Sequence, residues 1–165
     1  KSNLFITRDH QLYLNLSKNL INHELLVTYN NNAGQSVGSS GTYKNYARLI
    51  LPITAEIKGV RVYQMGGSYT DLQYDLAEVN GRKELGMYFE VFPSSLNKIQ
   101  IVWNTPTDKL LQGGEYRLNV RKQAGTDKDF LNINIATQDL ILTGSAPTSY
   151  TTNLLKDFKI KFFLK

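Results

Sequence analysis

The sequence predicts an all-β protein, an antiparallel β-sandwich with immunoglobulin-like architecture. Short stretches that alternate apolar and polar residues recur along the 165 residues. Clusters of Gly, Pro, Asn, Asp and Ser separate them at the spacing of about 8 to 12 residues that is typical of sandwiches. No stretch combines the caps and the apolar spacing of a convincing helix. Alternation with a period of two places one set of side chains in a core and the other in solvent.

About twelve segments have this strand pattern. They cover residues 4–7, 11–17, 24–29, 46–51, 57–64, 72–79, 83–92, 98–103, 115–122, 130–136, 139–143 and 156–164. Gly59 predicts a bulge in its strand, and Asn80-Gly81 predicts a two-residue hairpin turn. The polar stretch 30–41, made of small residues, predicts a loop.

Residues 46–51 are predicted to form a central strand that is covered on both faces. The apolar residues of this stretch occupy both alternation sets: Tyr46, Ala47, Leu49, Ile50 and Leu51. An edge strand would not need such a pattern. We therefore expect Leu49 and Leu51 in the core. Arg48 is the charged residue of the stretch, and we expect a carboxylate or carbonyl partner for it.

The length predicts a single domain over residues 1–165. The apolar fraction of 41% and the charged fraction of 20% are ordinary for a globular protein. The chain has no cysteine, which excludes a disulfide framework and a thiolate metal site. No apolar run approaches the ~20 residues that span a membrane. The first residues, Lys1-Ser2-Asn3-Leu4, show no leader and look like the interior of a protein sequence. We therefore expect the chain to be part of a longer protein.

The net charge of +5 is spread along the chain. Basic residues form no tail and no block, which favours a solvated sheet face over a specific attraction to anionic polymers. Nucleic-acid binding is not expected, because no basic and aromatic motif of a known reader is present.

Two segments carry a resemblance to a known family. Residues 24–31 (ELLVTYNN) and residues 41–52 (GTYKNYARLILP) resemble the C-terminal part of bacterial proteins of domain-of-unknown-function family 4012. In that family a strand ending in Tyr-x-Asn precedes a Tyr-(Arg/Lys)-Asn-Tyr-x-Arg-x-x-x-Pro segment. Residues 83–93, 116–126 and 153–158 resemble three further pieces of the family in the same order.

The resemblance implies an extracytoplasmic module at the bacterial cell surface, with a membrane anchor outside this chain. It implies no activity. We therefore expect a non-catalytic module with a structural or interaction role. The alternative is a carbohydrate-binding module for cell-envelope polysaccharide. The expected partners are such a polysaccharide or another surface protein.

Candidate chemistry is sparse, and we expect no enzyme activity, no cofactor and no metal. His10 and His23 lie beside polar, turn-like stretches, so we expect both on the surface and not in a metal site. No Gly-x-Ser-x-Gly nucleophile motif is present. Asp127 and Asp129 could offer oxygen atoms to calcium, but the segment lacks the glycine and glutamate of a dedicated loop, and a turn is favoured.

The candidate ligand contacts are Tyr46, Arg48, Arg117 and Arg121. The chain contains ten tyrosines and one tryptophan, and exposed aromatic rings can stack on sugars while arginines hold anionic groups. Cross-strand packing is the other use of tyrosine, and an arginine in a strand can also cover an aromatic ring. A co-planar row of exposed aromatic rings would favour polysaccharide binding, and its absence would favour a structural or interaction role.

Overall fold

The structure, a computed structural model, describes residues 2–34, 41–63, 67–111, 113–122, 126, 129–144 and 146–165. Residues 35–40 of the predicted loop and Asp127 of the candidate calcium site lie outside these ranges. The described residues form strands almost throughout. The all-β sandwich expected from the sequence is therefore confirmed.

The segments predicted at 4–7 and 11–17 lie in or beside a single strand, and the prediction of a strand over 139–143 is wrong, because that segment forms only an isolated bridge at Leu142. The strands at 69–71 and 149–152 were not predicted, and the bounds of the remaining strands differ from the predicted ones by a few residues. Twelve strands are described. They are β1 (Ile6–Leu16), β2 (Leu20–Asn31), β3 (Tyr43–Pro52), β4 (Glu56–Tyr63), β5 (Tyr69–Asp71), β6 (Tyr74–Val79), β7 (Arg82–Val91), β8 (Ser95–Pro106), β9 (Glu115–Val120), β10 (Asp129–Thr137), β11 (Ser149–Thr152) and β12 (Phe158–Phe163). A 3₁₀ turn at Ser2–Phe5 precedes β1, and a one-turn helix α1 (Thr107–Leu110) follows β8.

The strands form one large sheet and two small ones. The large sheet has the order β11-β10-β1-β2-β8-β4-β5, the three-stranded sheet the order β3-β7-β6, and the two-stranded sheet the order β12-β9. Both small sheets pack on the same face of the large sheet. On β2, Tyr29 contacts Phe89 of β7, with 4.8 Å between ring centroids, and His23 lies 3.5 Å from the hydroxyl of Tyr116 on β9. The layering of sheet on sheet matches the predicted architecture.

The core lies between the large sheet and the two small sheets. The inner face of the large sheet carries alternate residues of its strands, which is why the period-two pattern located them correctly. Its most completely buried side chains include Leu14, Leu16, Ile21, Ile99 and Ile133. Full burial of one such side chain contributes roughly 1.5–3 kcal/mol.

One ladder of the large sheet is parallel. β1 pairs antiparallel with β2 on one side and parallel with β10 on the other, in a register that runs from Arg8↔Asp129 to Leu16↔Thr137. Strand β1 therefore lies inside the sheet, between a neighbour in sequence and one more than a hundred residues away. The remaining strand ladders between described residues are antiparallel.

Two local predictions are confirmed. Asn80 and Gly81 join β6 to β7 with φ angles of 50° and 71°, the left-handed conformations that a type I′ hairpin turn requires. The register between β4 and β8 shifts between Ile57 and Gly59. That shift is the predicted bulge.

The prediction of a central strand over residues 46–51 is wrong. β3 pairs with β7 and lies at the edge of the three-stranded sheet. Leu51 is in the core as expected, but Leu49 is partly exposed, and Tyr46 and Ile50 are each 47% exposed. The second apolar set of this strand therefore lies on an outer face that faces solvent.

Candidate functional site

A groove runs along the sandwich between β3 and β9, which are edge strands of the two small sheets. We call it the β3/β9 groove, and its volume is about 1290 Å³. Its three sides come from the three sheets: a floor from the large sheet, one wall from β3 and the other from β9. The site is therefore built mainly by the packing of sheets, and Leu154 and Asp157 add to its lining from the segment before β12.

The floor is apolar and follows directly from the alternation of β2. Along its inner face, His23 lies beneath the two-stranded sheet and Tyr29 beneath the three-stranded sheet. Leu25 and Val27 lie between them and line the groove. The deepest floor residues are less than a tenth exposed. The accessible apolar surface therefore comes from partly exposed side chains: Leu25, Ala47, Leu49, Leu118 and Val120.

The two walls are unpaired edges of strands. Residues 45–52 of β3 and 116–121 of β9 line the groove consecutively, as expected when the backbone edge of a strand faces a gap. Among the described strands, β3 pairs with β7 alone and β9 with β12 alone. Edge strands present free N–H and C=O groups that can pair with another strand. The groove therefore offers backbone hydrogen bonds as well as apolar surface.

The groove carries a positive charge. Five cationic side chains line it, against the two carboxylates Asp129 and Asp157. The cations are Arg48, Arg82, Arg117, Arg121 and Lys159, all of them exposed. Asp129 is already paired with Arg8 inside the protein. The exposed charge at the groove is therefore predominantly basic and suits an acidic ligand.

Arg117 differs from the other cations because it is paired. Its Nε and Nη2 donate to the two carboxylate oxygens of Glu115 at 2.7 and 3.2 Å. The hydrogen bond from Arg117 holds the pKa of Glu115 below its usual value. Arg48 and Arg121, by contrast, have no ion-pair partner among the described residues.

The structure brings the four predicted site residues together at one groove. Tyr46 and Arg48 belong to β3, Arg117 to β9, and Arg121 follows β9 directly. The expected carboxylate or carbonyl partner of Arg48 is wrong, since its guanidinium lies 5.6 Å from the centroid of the Tyr46 ring. Arg48 is thus a free cation above an aromatic ring, an arrangement that stabilises a cation modestly at an exposed site.

Tyr46 lies across Gly86 on the outer face of the three-stranded sheet. A Cβ at Gly86 would lie 2.2 Å from the Tyr46 hydroxyl oxygen, so this glycine makes room for the ring. The hydroxyl donates to Oδ2 of Asp75 on β6 at 2.8 Å. That hydrogen bond raises the pKa of the Tyr46 phenol. The ring is therefore held in place while 47% of the side chain stays exposed.

The other exposed aromatic side chains are spread over all three sheets. Tyr13, Tyr69 and Phe130 belong to the large sheet, Tyr74 and Tyr88 to the three-stranded sheet, and Phe163 to the two-stranded sheet. Tyr88 lies directly opposite Tyr46 in the register of β3 and β7, so these two exposed rings share the outer face of the three-stranded sheet. Beyond this pair, the described strands show no row of exposed aromatic rings along one face.

The prediction that His23 lies on the surface is wrong. His23 is 4% exposed and stacks on Trp103 of β8, with 4.7 Å between centroids and 8° between planes. Burial lowers its pKa to about 4, against weaker opposing effects of the Trp103 and Ile21 backbones. Trp103 Nε1 is buried and has no hydrogen-bond partner among the described residues. A signal for this burial was present in the sequence. The odd-numbered residues of β2 face the core, and His23 is one of them.

The other acid of the candidate calcium site has a structural role. Asp129 Oδ1 accepts from Nη1 of Arg8 at 3.2 Å, and Nη2 of Arg8 donates to the Tyr43 hydroxyl at 3.1 Å. Burial acts to lower the pKa of Arg8, but Tyr43 and Asp129 outweigh it and raise that pKa. This network joins β1, β10 and β3 across the sandwich.

The described residues contain no group of three or more His, Asp or Glu side chains placed to hold a metal ion. None of the described helices has the length and apolar character needed to cross a membrane.

The fold and the groove define an all-β sandwich in which two small sheets cover one face of a seven-stranded sheet. No family model and no curated protein matches the chain. Among solved structures, it is similar to part of yeast LTA4 hydrolase in complex with Bestatin. The TM-score is 0.50 at 13% identity, over 96% of this chain and 29% of that chain.

A second solved structure, a candidate protease from Parabacteroides distasonis, has a TM-score of 0.45 at 10% identity, over 97% of this chain and 35% of that chain. The chain thus spans about a third or less of the length of both proteins. At 13% identity, the likeness to LTA4 hydrolase concerns the fold alone.

Proposed function

We propose that the chain is a non-catalytic, extracytoplasmic module with an interaction role at the bacterial cell surface, and that the β3/β9 groove is its binding element. The observation that carries the proposal is the groove itself. It combines two unpaired strand edges, an apolar floor and a basic rim. The resemblance of residues 24–31 and 41–52 to an outward-facing, membrane-anchored family supports the location.

The groove suits binding better than catalysis. Of the groove's titratable residues, Asp129 is paired with Arg8 and His23 is stacked on Trp103. Its exposed charged groups are mainly arginine and lysine. Cations of this kind hold carboxylates and other anions without changing their own protonation state near neutral pH. A partner with acidic and apolar surface is the natural complement.

Location is tested by labelling a single cysteine. The chain has none of its own, and Ser149 is exposed on β11. Cells that produce the full-length protein with Ser149→Cys would be treated with a maleimide that does not cross membranes. We expect labelling of intact cells equal to that of lysed cells. Labelling that appears only after lysis would place the module inside and refute the proposal.

Binding is tested with envelope material separated into protein and polysaccharide fractions. We expect the purified chain to bind the protein fraction, and Arg48→Met and Arg121→Met together to reduce binding at least tenfold. Lys98→Met is the matched control, because Lys98 is exposed on β8 and does not line the groove. Equal loss with the control would show that general charge, and not the groove, is responsible.

Polysaccharide binding is the second candidate, and one observation favours it. The exposed ring of Tyr46 is fixed across Gly86 by Asp75, with Arg48 beside it. A fixed exposed ring flanked by polar groups can stack on a sugar. Binding of the polysaccharide fraction that is lost in Tyr46→Ala and kept in Tyr88→Ala would select this candidate over the first.

A further inference from the structure

The two free edges of the three-stranded sheet carry charges of opposite sign. β3, at one edge, contains Lys44 and Arg48 and no acidic residue. β6, at the other edge, contains Asp75 and Glu78 and no basic residue. Lys44 is paired with Glu90 of β7, but Arg48 has no ion-pair partner among the described residues. The sheet is thus basic at one edge and acidic at the other.

β6 is unusually exposed for a strand with apolar residues. All six of its residues are exposed, including Tyr74, Leu76 and Val79 at 40% or more. Proteins commonly protect edge strands with charges, because like charges keep two copies apart. Here the charges on the two edges differ in sign, so this protection does not operate between one edge of a molecule and the opposite edge of a second copy.

The β3/β9 groove complements β6 in charge, in apolar surface and in unpaired backbone edges. β6 is extended, acidic, partly apolar and unpaired along its outer edge. The groove next to β3 is basic, has a partly apolar floor and presents unpaired strand edges. An added strand would take the spacing of about 4.8 Å from its new neighbour.

We propose that β6 of one molecule pairs with the free edge of β3 in a second molecule and enters the β3/β9 groove. In this arrangement, strand pairing continues the three-stranded sheet from one copy to the next. Asp75 and Ala77 follow the outer face of the sheet, the face of Arg48, because Asp75 lies opposite Gly86 in the register. Leu76 and Glu78 follow the inner face, where the groove supplies Leu49 and Leu118. The exposed cation of Arg121 follows β9 at the opposite wall of the groove.

The contact joins two different surfaces, so each copy keeps one free acidic edge and one free groove. Contacts of this kind propagate into rings or filaments unless symmetry closes them. The proposal deepens the interaction role given above by naming a second copy of this chain as the partner, and it rests on the same groove.

Analytical ultracentrifugation of the purified chain tests the proposal. We expect the weight-average mass to rise with protein concentration and to fall when salt is raised, because opposite charges are screened. Arg48→Glu disables the groove and Leu76→Lys disables the strand, and we expect each variant alone to associate at least tenfold more weakly. Lys98→Glu is the matched control for a change of charge away from both surfaces, and it should associate like the parent.

A mixture of the two disabled variants gives the sharpest result. Arg48→Glu retains an intact β6, and Leu76→Lys retains an intact groove, so an equimolar mixture should form a dimer that cannot grow further. A parent chain that stays monomeric, variants that associate like the parent, or a mixture that stays monomeric would each overturn the proposal. Thermal unfolding followed by circular dichroism shows whether each variant is folded. If Arg48→Glu is not folded, Arg48→Gln replaces it, and if Leu76→Lys is not folded, Leu76→Thr replaces it.

The outcome separates this inference from the proposed function. A monomeric chain that still binds the envelope protein fraction through Arg48 and Arg121 would leave the interaction role intact and refute self-association. Self-association without binding of any envelope fraction would support the strand contact and refute the wider role.

Discussion

Arg8 and Asp129 form an ion pair inside the sandwich, with 3.2 Å between Nη1 and Oδ1 and both side chains less than a tenth exposed. The pair lies at the start of the parallel ladder between β1 and β10. Removing the carboxylate from a buried ion pair typically costs about 3–5 kcal/mol, because the remaining buried charge loses that partner. We expect Asp129→Leu to lower the free energy of unfolding by that order, measured by urea denaturation. The double variant Arg8→Met, Asp129→Leu should lose less than Asp129→Leu alone; a larger loss would refute this account.

Replacing each of the two leucines predicted for the core of β3 by alanine should lower the free energy of unfolding by different amounts. Leu51 is 3% exposed, whereas Leu49 is partly exposed beside the groove. We expect Leu51→Ala to cost ~2–5 kcal/mol, as for a buried leucine, and Leu49→Ala to cost about 1 kcal/mol. Thermal or urea unfolding of the two variants measures the difference. Equal losses would contradict the edge position of the strand.

The burial of His23 makes stability depend on pH. Its pKa is about 4 in the folded chain, below the ordinary value of 6.5, so the unfolded chain binds the proton more tightly. The stabilisation is therefore complete above pH 6.5 and is lost as pH falls towards 4, with about 3 kcal/mol at stake. His23→Phe should flatten this part of the stability curve. Burial also lowers the pKa of His10, so part of the slope should remain in His23→Phe and should decrease further when both histidines are replaced.

Gly86→Ala should release Tyr46 at little cost in stability. The new Cβ would lie 2.2 Å from the hydroxyl oxygen, so the exposed ring must move away from Asp75. Unfolding free energy should change by about 1 kcal/mol or less. The raised pKa of the Tyr46 phenol should return towards its ordinary value, measured by NMR titration of labelled tyrosine. Gly59→Ala is the control, since its Cβ would meet no atom closer than 3.9 Å. An unchanged phenol pKa in Gly86→Ala would contradict the contact.

Local patterns predicted most of the strands well. The residues of a strand alternate between buried and exposed positions, and this alternation can be recognised from neighbouring residues alone. The inner set of β1, with Leu12, Leu14 and Leu16, is buried as the sequence indicated. The hairpin at Asn80-Gly81 was equally predictable, because the conformation of that turn depends on the two residues themselves. Long-range features were not predictable in this way. The parallel partner of β1 is β10, and no local pattern specifies which strands pair across such a separation.

The candidate site was predicted in part. Tyr46, Arg48, Arg117 and Arg121 were chosen for their chemistry, and the fold brings them to one groove. The position of β3 at an edge was missed because an exposed Tyr46 and Ile50 look the same in sequence as buried ones. The stacking of His23 on Trp103 was missed because it depends on the register between β2 and β8. The register between two strands depends on how the whole sheet packs, and the sequence of either strand alone does not determine it.

The parallel ladder has a consequence for synthesis of the chain on the ribosome. β1 and β2 leave the ribosome first among the described strands, yet β1 has its second neighbour only when β10, Asp129–Thr137, has been made. During that interval the hairpin of β1 and β2 has an unsatisfied edge, and long-range pairing of this kind is slow. We therefore expect growing chains that end before residue 129 to remain open to protease digestion and to chaperone binding, and protection of this edge to arise late.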